Sequence, residues 1–276
     1  MKRAALFRVS LLVMLLIIVT SGISAQEKDD LVQSALEDTT FNWASSESRG
    51  VRIYCQRGSF AEKHRSMLLR SVTTAVDEVL EYLGESRYDK PLNVLYLESR
   101  EEMERIVGQP VSGFANWGAS GVFVVFNPEW RSFEKHEITH VFTMGGWGAP
   151  DTTSRWMVEG IAIHSDGWCR EYTVDEIAYH LLSQGQLPSL QEFFDDSTAL
   201  GEIRGGFYGA SVIGFIRHTH GAEALHDLWL NGIGDFKEMF GSDVKEIENL
   251  WKNYLKLKVK KEIKVDLETI EDLGCG

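Results

Sequence analysis

Cysteine and proline are scarce in this chain, three and five respectively among 276 residues. Cys55, Cys169 and Cys275 are too few for a disulfide scaffold, and none has the short spacing of a thiolate metal site. At most one bridge can form within the chain. Because Cys275 ends a glycine-containing tail, Cys55–Cys169 is the favoured pairing. There is no internal repeat, low-complexity tract or linker. Positive charge is also short, with 28 Lys and Arg against 41 Asp and Glu, a net charge of −13. That surplus of acid speaks against nucleic acid and anionic membrane surfaces as partners, and does not identify a substrate.

The first residues read as a secretory signal. Lys2, Arg3 and Arg8 precede an apolar run from Leu11 to Val19, and small or polar residues lead to Ala25-Gln26, where cleavage is expected. The run is shorter than the roughly twenty residues a membrane span needs, so stable membrane insertion after cleavage is not expected. An uncleaved anchor is the competing reading. No cysteine follows the run as a lipoprotein site would require. Cleavage removes three positive charges and no acids, taking the net charge from −13 to −16. The expectation is a secreted or periplasmic protein.

Beyond the signal (1–25), residues 26–50 form a polar lead-in with no clear period, and 51–276 are long enough for one large domain or two coupled lobes. Val51–Cys55, Leu92–Leu97 and Gly121–Phe126 read as strands. Leu68, Val72, Ala75, Val76, Val79 and Leu83 recur at helical spacing, which predicts a long helix over about 59–84. Ser99 with Glu102, and Thr173 with Glu176, are capping-box pairs. Further helices are expected over about 206–219, 222–231 and 243–260, the first two stopped by Gly221 and Gly232. Strands first and helices afterwards make an α+β fold, a small sheet packed on a mostly helical lobe.

The most specific pattern is His136-Glu137-Ile138-Thr139-His140, followed after eighteen residues by Glu159. Positions i and i+4 of a helix share one face a turn apart, so the two imidazoles can meet one metal ion. Glu137 projects beside them, able to reach a water at that ion without being a ligand. Phe133, Val141, Phe142 and Met144 mark the helix as largely buried, where unpartnered polar groups are costly. Gly145, Gly146, Gly148 and Pro150 then break it, and Thr152, Thr153 or Ser154 can cap a second helix that brings Glu159 back. Two imidazoles and one carboxylate, with the fourth place left to water, is the donor set of a catalytic zinc site.

These residues, with Glu159-Gly160-Ile161-Ala162, resemble the gluzincin metallopeptidases, closest to peptidase MA-like domains related to the aminopeptidase-N and thermolysin groups. The clear match spans Glu134 to His164 and extends more weakly from Gly113 to Gly221. The resemblance implies a thermolysin-like helical lobe and a sheet edge strand beside the zinc cleft. It implies one Zn2+ per chain on His136, His140 and Glu159, with Glu137 as catalytic base. It also implies a peptide or protein substrate.

An oxyanion donor besides the metal is expected as well. Tyr208 is the candidate, since aminopeptidase-N-like relatives place a tyrosine on the following helix; His218 and His220 are alternatives. Tyr208 also shares a face with Val212 and Phe215 and could simply pack. Asp166 can orient a ligand imidazole, and His164 reads as structural or supporting. Relatives grip a free α-amino group with a glutamate in the segment matching Gly113-Phe114-Ala115-Asn116-Trp117-Gly118; here no glutamate occurs before Glu129. That departure favours endopeptidase or more specialised activity. Two other readings remain open: a catalytically silent binding module on the same scaffold, and a zinc hydrolase of non-peptide amides or esters.

Overall fold

The computed structural model describes residues 31–130, 133–150, 155–234, 236–261 and 263–275. The expected signal segment and the cap candidates Thr152, Thr153 and Ser154 lie outside these. The described chain starts with helix α1 (Leu31–Glu37), then a hairpin of β1 (Trp43–Ser48) and β2 (Val51–Gln56). Ser48 pairs with Val51 across a two-residue turn, Arg49 and Gly50, both at positive φ (53° and 78°), the conformation whose twist suits adjacent antiparallel strands. The described part of the lead-in is therefore ordered structure, a correction to the featureless segment expected over 26–50. Its polar strand escapes notice because β1 buries little beyond Ala44.

Two helices then replace the single one expected over 59–84. α2 (Phe60–Lys63) is capped by Ser59, and α3 (Arg65–Leu83) ends at Gly84 in the left-handed region; His64, at φ −104° and ψ 8°, separates them. β3 (Leu92–Leu97), α4 (Arg100–Val107), β4 (Gly113–Asn116) and β5 (Gly121–Val125) complete the first half. The sheet order is β1-β2-β3-β5-β4, parallel across β2, β3 and β5 and antiparallel at both edges.

β3 and β5 are almost continuously apolar, Asn93 being the exception, because both faces are covered, as parallel strands require. Leu92, Val94, Tyr96, Val122 and Val124 face a core shared with Leu68, Val72 and Val79 of α3. Leu95, Leu97, Phe123 and Val125 face the other way, onto Val32, Ala35 and Met103.

The second half is helical. α5 (Glu134–Phe142) runs into a π-helical turn over Thr143–Trp147, and α6 (Arg155–Asp166) follows. A short hairpin, β6 (Trp168–Cys169) and β7 (Tyr172–Thr173), leads to α7 (Val174–Ser183), which carries the expected capping box of Thr173 and Glu176. α8 (Leu190–Asp195), α9 (Glu202–Asn231), α10 (Phe236–Phe240), α11 (Val244–Lys258) and α12 (Leu267–Leu273) complete the lobe. α9 kinks at Gly221 (φ 87°, ψ 179°), where two helices were expected to part. The fold is α+β, with a small mixed sheet and a mostly helical second half. No helix among the described residues is long and apolar enough to cross a membrane.

The disulfide joins Cys169 to Cys275, which corrects the Cys55–Cys169 expectation. Cys55 lies on the inward face of β2 as a buried free thiol, pushed up to about 12 by burial. The tail folds back because Val265 and Ile270 share a core with Cys169, Ile177 and Leu181, and Arg170 donates to the Gly274 carbonyl at 3.0 Å.

Glycines let α6 and α9 approach to backbone contact. A Cβ on Gly160 would stand 3.0 Å from the Gly209 carbonyl carbon, and one on Gly209 would stand 2.9 Å from the Trp156 carbonyl oxygen. Backbone atoms cannot swing aside, so Gly209→Ala is expected to destabilise the fold by about 1–3 kcal/mol. Urea unfolding of the variant checks this, and an unchanged midpoint would contradict the close crossing.

Candidate metal centre

α5 starts after Phe133 without a side-chain cap and is held instead by its neighbours. Tyr96 of β3 donates to Glu134 Oε1 at 2.5 Å, and Lys135 pairs with Glu78 of α3 at 2.7 Å. Thr139, fully buried within the five-residue motif, donates to Ser165 Oγ on α6 at 3.0 Å. Two helices are thereby locked face to face with His136 and His140 on one and Glu159 on the other.

The donor atoms converge. His136 Nε2 and His140 Nε2 are 3.0 Å apart with ring planes at 83°, and Glu159 Oε2 lies 3.6 Å and 3.7 Å from them. A tetrahedral ion with bonds of about 2.1 Å spaces its donors about 3.4 Å apart. The three separations bracket that value, so the residues fit a small divalent cation. The three side chains are mostly buried, at 12%, 7% and 19% exposed. Among the described residues the group stops at three donors, His136, His140 and Glu159, and these could hold a metal ion.

Electrostatics agree with the geometry. Burial alone would push the His136 imidazole down, but the neighbouring Glu159 carboxylate, with Glu137 and Asp166, lifts it to about 9. Burial likewise opposes ionisation of Glu159, yet the His140 and His136 charges hold its carboxyl well below the usual range. A buried pair of imidazoles ringed by carboxylates calls for added positive charge, which a proton or a metal ion supplies. Glu137 is 5% exposed, and burial raises its carboxyl above the ordinary value. Its side chain accepts no hydrogen bond from any described residue. A buried carboxylate without a donor is rare and asks for an explanation.

The other expected residues do not join this group. Tyr208 is fully buried against Phe193 and Trp251, and its hydroxyl donates to the Pro188 carbonyl at 3.2 Å. The reason is helical phase: α9 meets α6 through glycines such as Gly206, and Tyr208 sits about 200° round the helix from it. His218 and His220 are exposed and pack on Tyr254 and Phe240. Asp166 is near enough for its charge to support protonated His136, and burial raises its own carboxyl. His164 lies outside the group, its Nδ1 3.1 Å from the Tyr82 hydroxyl and its ring over Gly214, where a Cβ would come within 2.1 Å of Nε2.

Sequence reasoning missed the Thr139–Ser165 bond and the ion pair of Arg155 with Glu202 at 2.9 Å, whose carboxylate is close enough to Glu159 to be repelled by it. Arg155 precedes Glu159 by four residues, so helical spacing alone would have put it on the ligand face.

Two outcomes are expected. The purified chain should retain one divalent ion, and Glu159→Gln or His140→Ala should lose it on dialysis while His164→Gln keeps it; metal analysis of the dialysed samples checks this. Equal losses at positions 159 and 164 would mean that the third ligand is wrong. The second concerns His164 itself. Burial drives its imidazole from 6.5 down to about 4, opposed by Asp175 and helped by Lys258, Arg217 and Lys135. The unfolded chain therefore binds this proton more readily than the folded one between those values. The contribution is complete above pH 6.5 and is lost as pH falls towards 4. Urea midpoints across that window should drop less steeply for His164→Gln than for the parent chain.

No protein-family model matches this chain, and no curated protein matches it in sequence.

Proposed function

We propose that the protein is a zinc-dependent hydrolase of peptide bonds, acting outside the cytoplasm. The single observation that carries this reading is Glu137: a buried carboxylate with no donor among the described residues, next to a three-donor group with metal-site spacing. A purely structural zinc site closes with four protein ligands, and a helix that only packs has no use for an unsatisfied acid there.

His136, His140 and Glu159 would hold the ion. When bound, zinc supplies Lewis acidity towards a carbonyl oxygen and lowers the pKa of water towards neutrality. Glu137 takes the proton from the attacking water and returns it to the leaving amine, a general base and then a general acid. Its burial keeps bulk water from competing for that proton. The ligand set resembles that of the gluzincins, as the motif implies.

Strand β4 supports a peptide as substrate. It is a sheet edge, and α5 packs beside it. Val125 N–H donates to the Ser112 carbonyl at 2.8 Å, which by antiparallel alternation turns the main-chain groups of Gly113 and Ala115 outward. An extended peptide can pair with such an edge through main-chain hydrogen bonds. β4 carries no carboxylate to grip a terminal amine, which favours cleavage within a chain over removal of its first residue.

The test is cleavage of an unstructured protein. Activity should vanish with chelator and return with zinc. Glu137→Ala should retain the ion yet lower kcat by at least about a hundredfold. Turnover of amide or ester substrates with none of peptides would move the reading to a non-peptide hydrolase. A zinc-loaded chain that turns over neither, but still captures a protein partner as Glu137→Ala, would be a binding module.

A further inference from the structure

We infer that Gly113 is a positioning residue for Glu137, an inference that rests on the hydrolase reading above. Along a strand, alternate residues share a face. Ala115 is buried in the core that holds Ile138, Val141 and Phe142 of α5, whereas Phe114 packs on the opposite side against Phe123. β4 therefore turns Gly113 and Ala115, its two smallest residues, towards the helix that carries the metal ligands.

The contact at Gly113 is with the carboxylate itself. A Cβ there would stand 2.3 Å from Glu137 Oε1, 3.0 Å from Cδ and 3.1 Å from Cγ. No side-chain atom can occupy that position while Glu137 keeps its place. Gly113 is not among the glycines at positive φ, so its backbone would accept any residue. What the position requires is the missing Cβ. Because the carboxylate has no donor among the described residues to hold it, its rotamer is set by the walls around it, and Gly113 is one of them.

The clash with an alanine would fall on the movable half of one side chain and on no backbone atom. Strand and helix can then stay where they are while the carboxylate swings away from the donor group. The same short strand whose outer edge suits an extended peptide thus also fixes the distance between that peptide and the base.

The experiment compares the full-length chain with Gly113→Ala, Glu137→Ala and the double variant. Metal content, kcat and KM on an unstructured protein, and the visible spectrum of the cobalt(II)-loaded forms are measured. Gly113→Ala should keep one ion per chain and lose about a hundredfold in kcat, as a misplacement of about 1 Å can produce. KM should change by less than about threefold, since alanine keeps the main-chain N–H and C=O that β4 turns outward. Its cobalt spectrum should differ from that of the parent, whereas the double variant should match Glu137→Ala, because removing the carboxylate removes the overlap. A parental kcat, a loss confined to KM, or a cobalt spectrum unchanged by Gly113→Ala would overturn the inference. If Gly113→Ala does not fold, recovery of folding in the double variant supports the steric relation, and failure of both overturns it. Should the parent chain cleave no peptide, the hydrolase reading falls, and the cobalt comparison still decides the role of Gly113.

Discussion

Two imidazoles and a carboxylate, mostly removed from water at the crossing of two helices, are the constraint around which this molecule is organised. Ionised groups are tolerated in such a place only when charge is matched and geometry is held. His136, His140 and Glu159 need an added positive charge for balance, and their donor atoms lie at separations of 3.0–3.7 Å. A small rotation of α5 against α6 would part them. The supports lie where such a rotation would have to occur: the Thr139–Ser165 bond between the helices, the Tyr96–Glu134 bond to the sheet, and the glycine crossing behind Glu159.

The two halves of the fold divide the work. The sheet supplies a rigid platform whose parallel centre is buried on both faces, and its antiparallel edge lies against Glu137. The helical half brings all three donors, two on α5 and one on α6, and holds the third from behind through α9. The Cys169–Cys275 bridge fastens the hairpin that follows α6 to the end of the chain, across 106 residues. Long loops closed this way restrict the unfolded chain most in the entropic account, so the bridge steadies the segment that leaves the ligand helix.

Much of the site was legible because it is local. Two histidines four positions apart lie one helical turn from each other, and a break rich in glycine marks where that helix ends and a second can begin; both follow from backbone geometry. The strands Leu92–Leu97 and Gly121–Val125 were visible for the same reason, since continuous apolar runs of that length suit a buried strand. Ser45, Ser46 and Ser48 in β1 carry no such signal, and that strand exists only because β2 offers it a partner through a two-residue turn.

Tyr208 and the cysteines show where local reading ends. Helical periodicity put Tyr208 on a face, but which neighbour that face meets depends on α9 approaching α6 through glycine, and this sends the tyrosine into the core with Phe193 and Trp251. Cys55 and Cys169 could not be told apart from Cys275 by spacing, because a disulfide depends on which segments end up adjacent. The sequence by itself determined the donor types, their turn spacing and the alternation of buried and exposed positions, since these follow from backbone periods of 3.6 and 2. Only the tertiary structure decided that α6 faces α5, that Gly113 abuts Glu137 and that the tail reaches Cys169. Those are distances between segments far apart in the chain, set by the packing of whole faces.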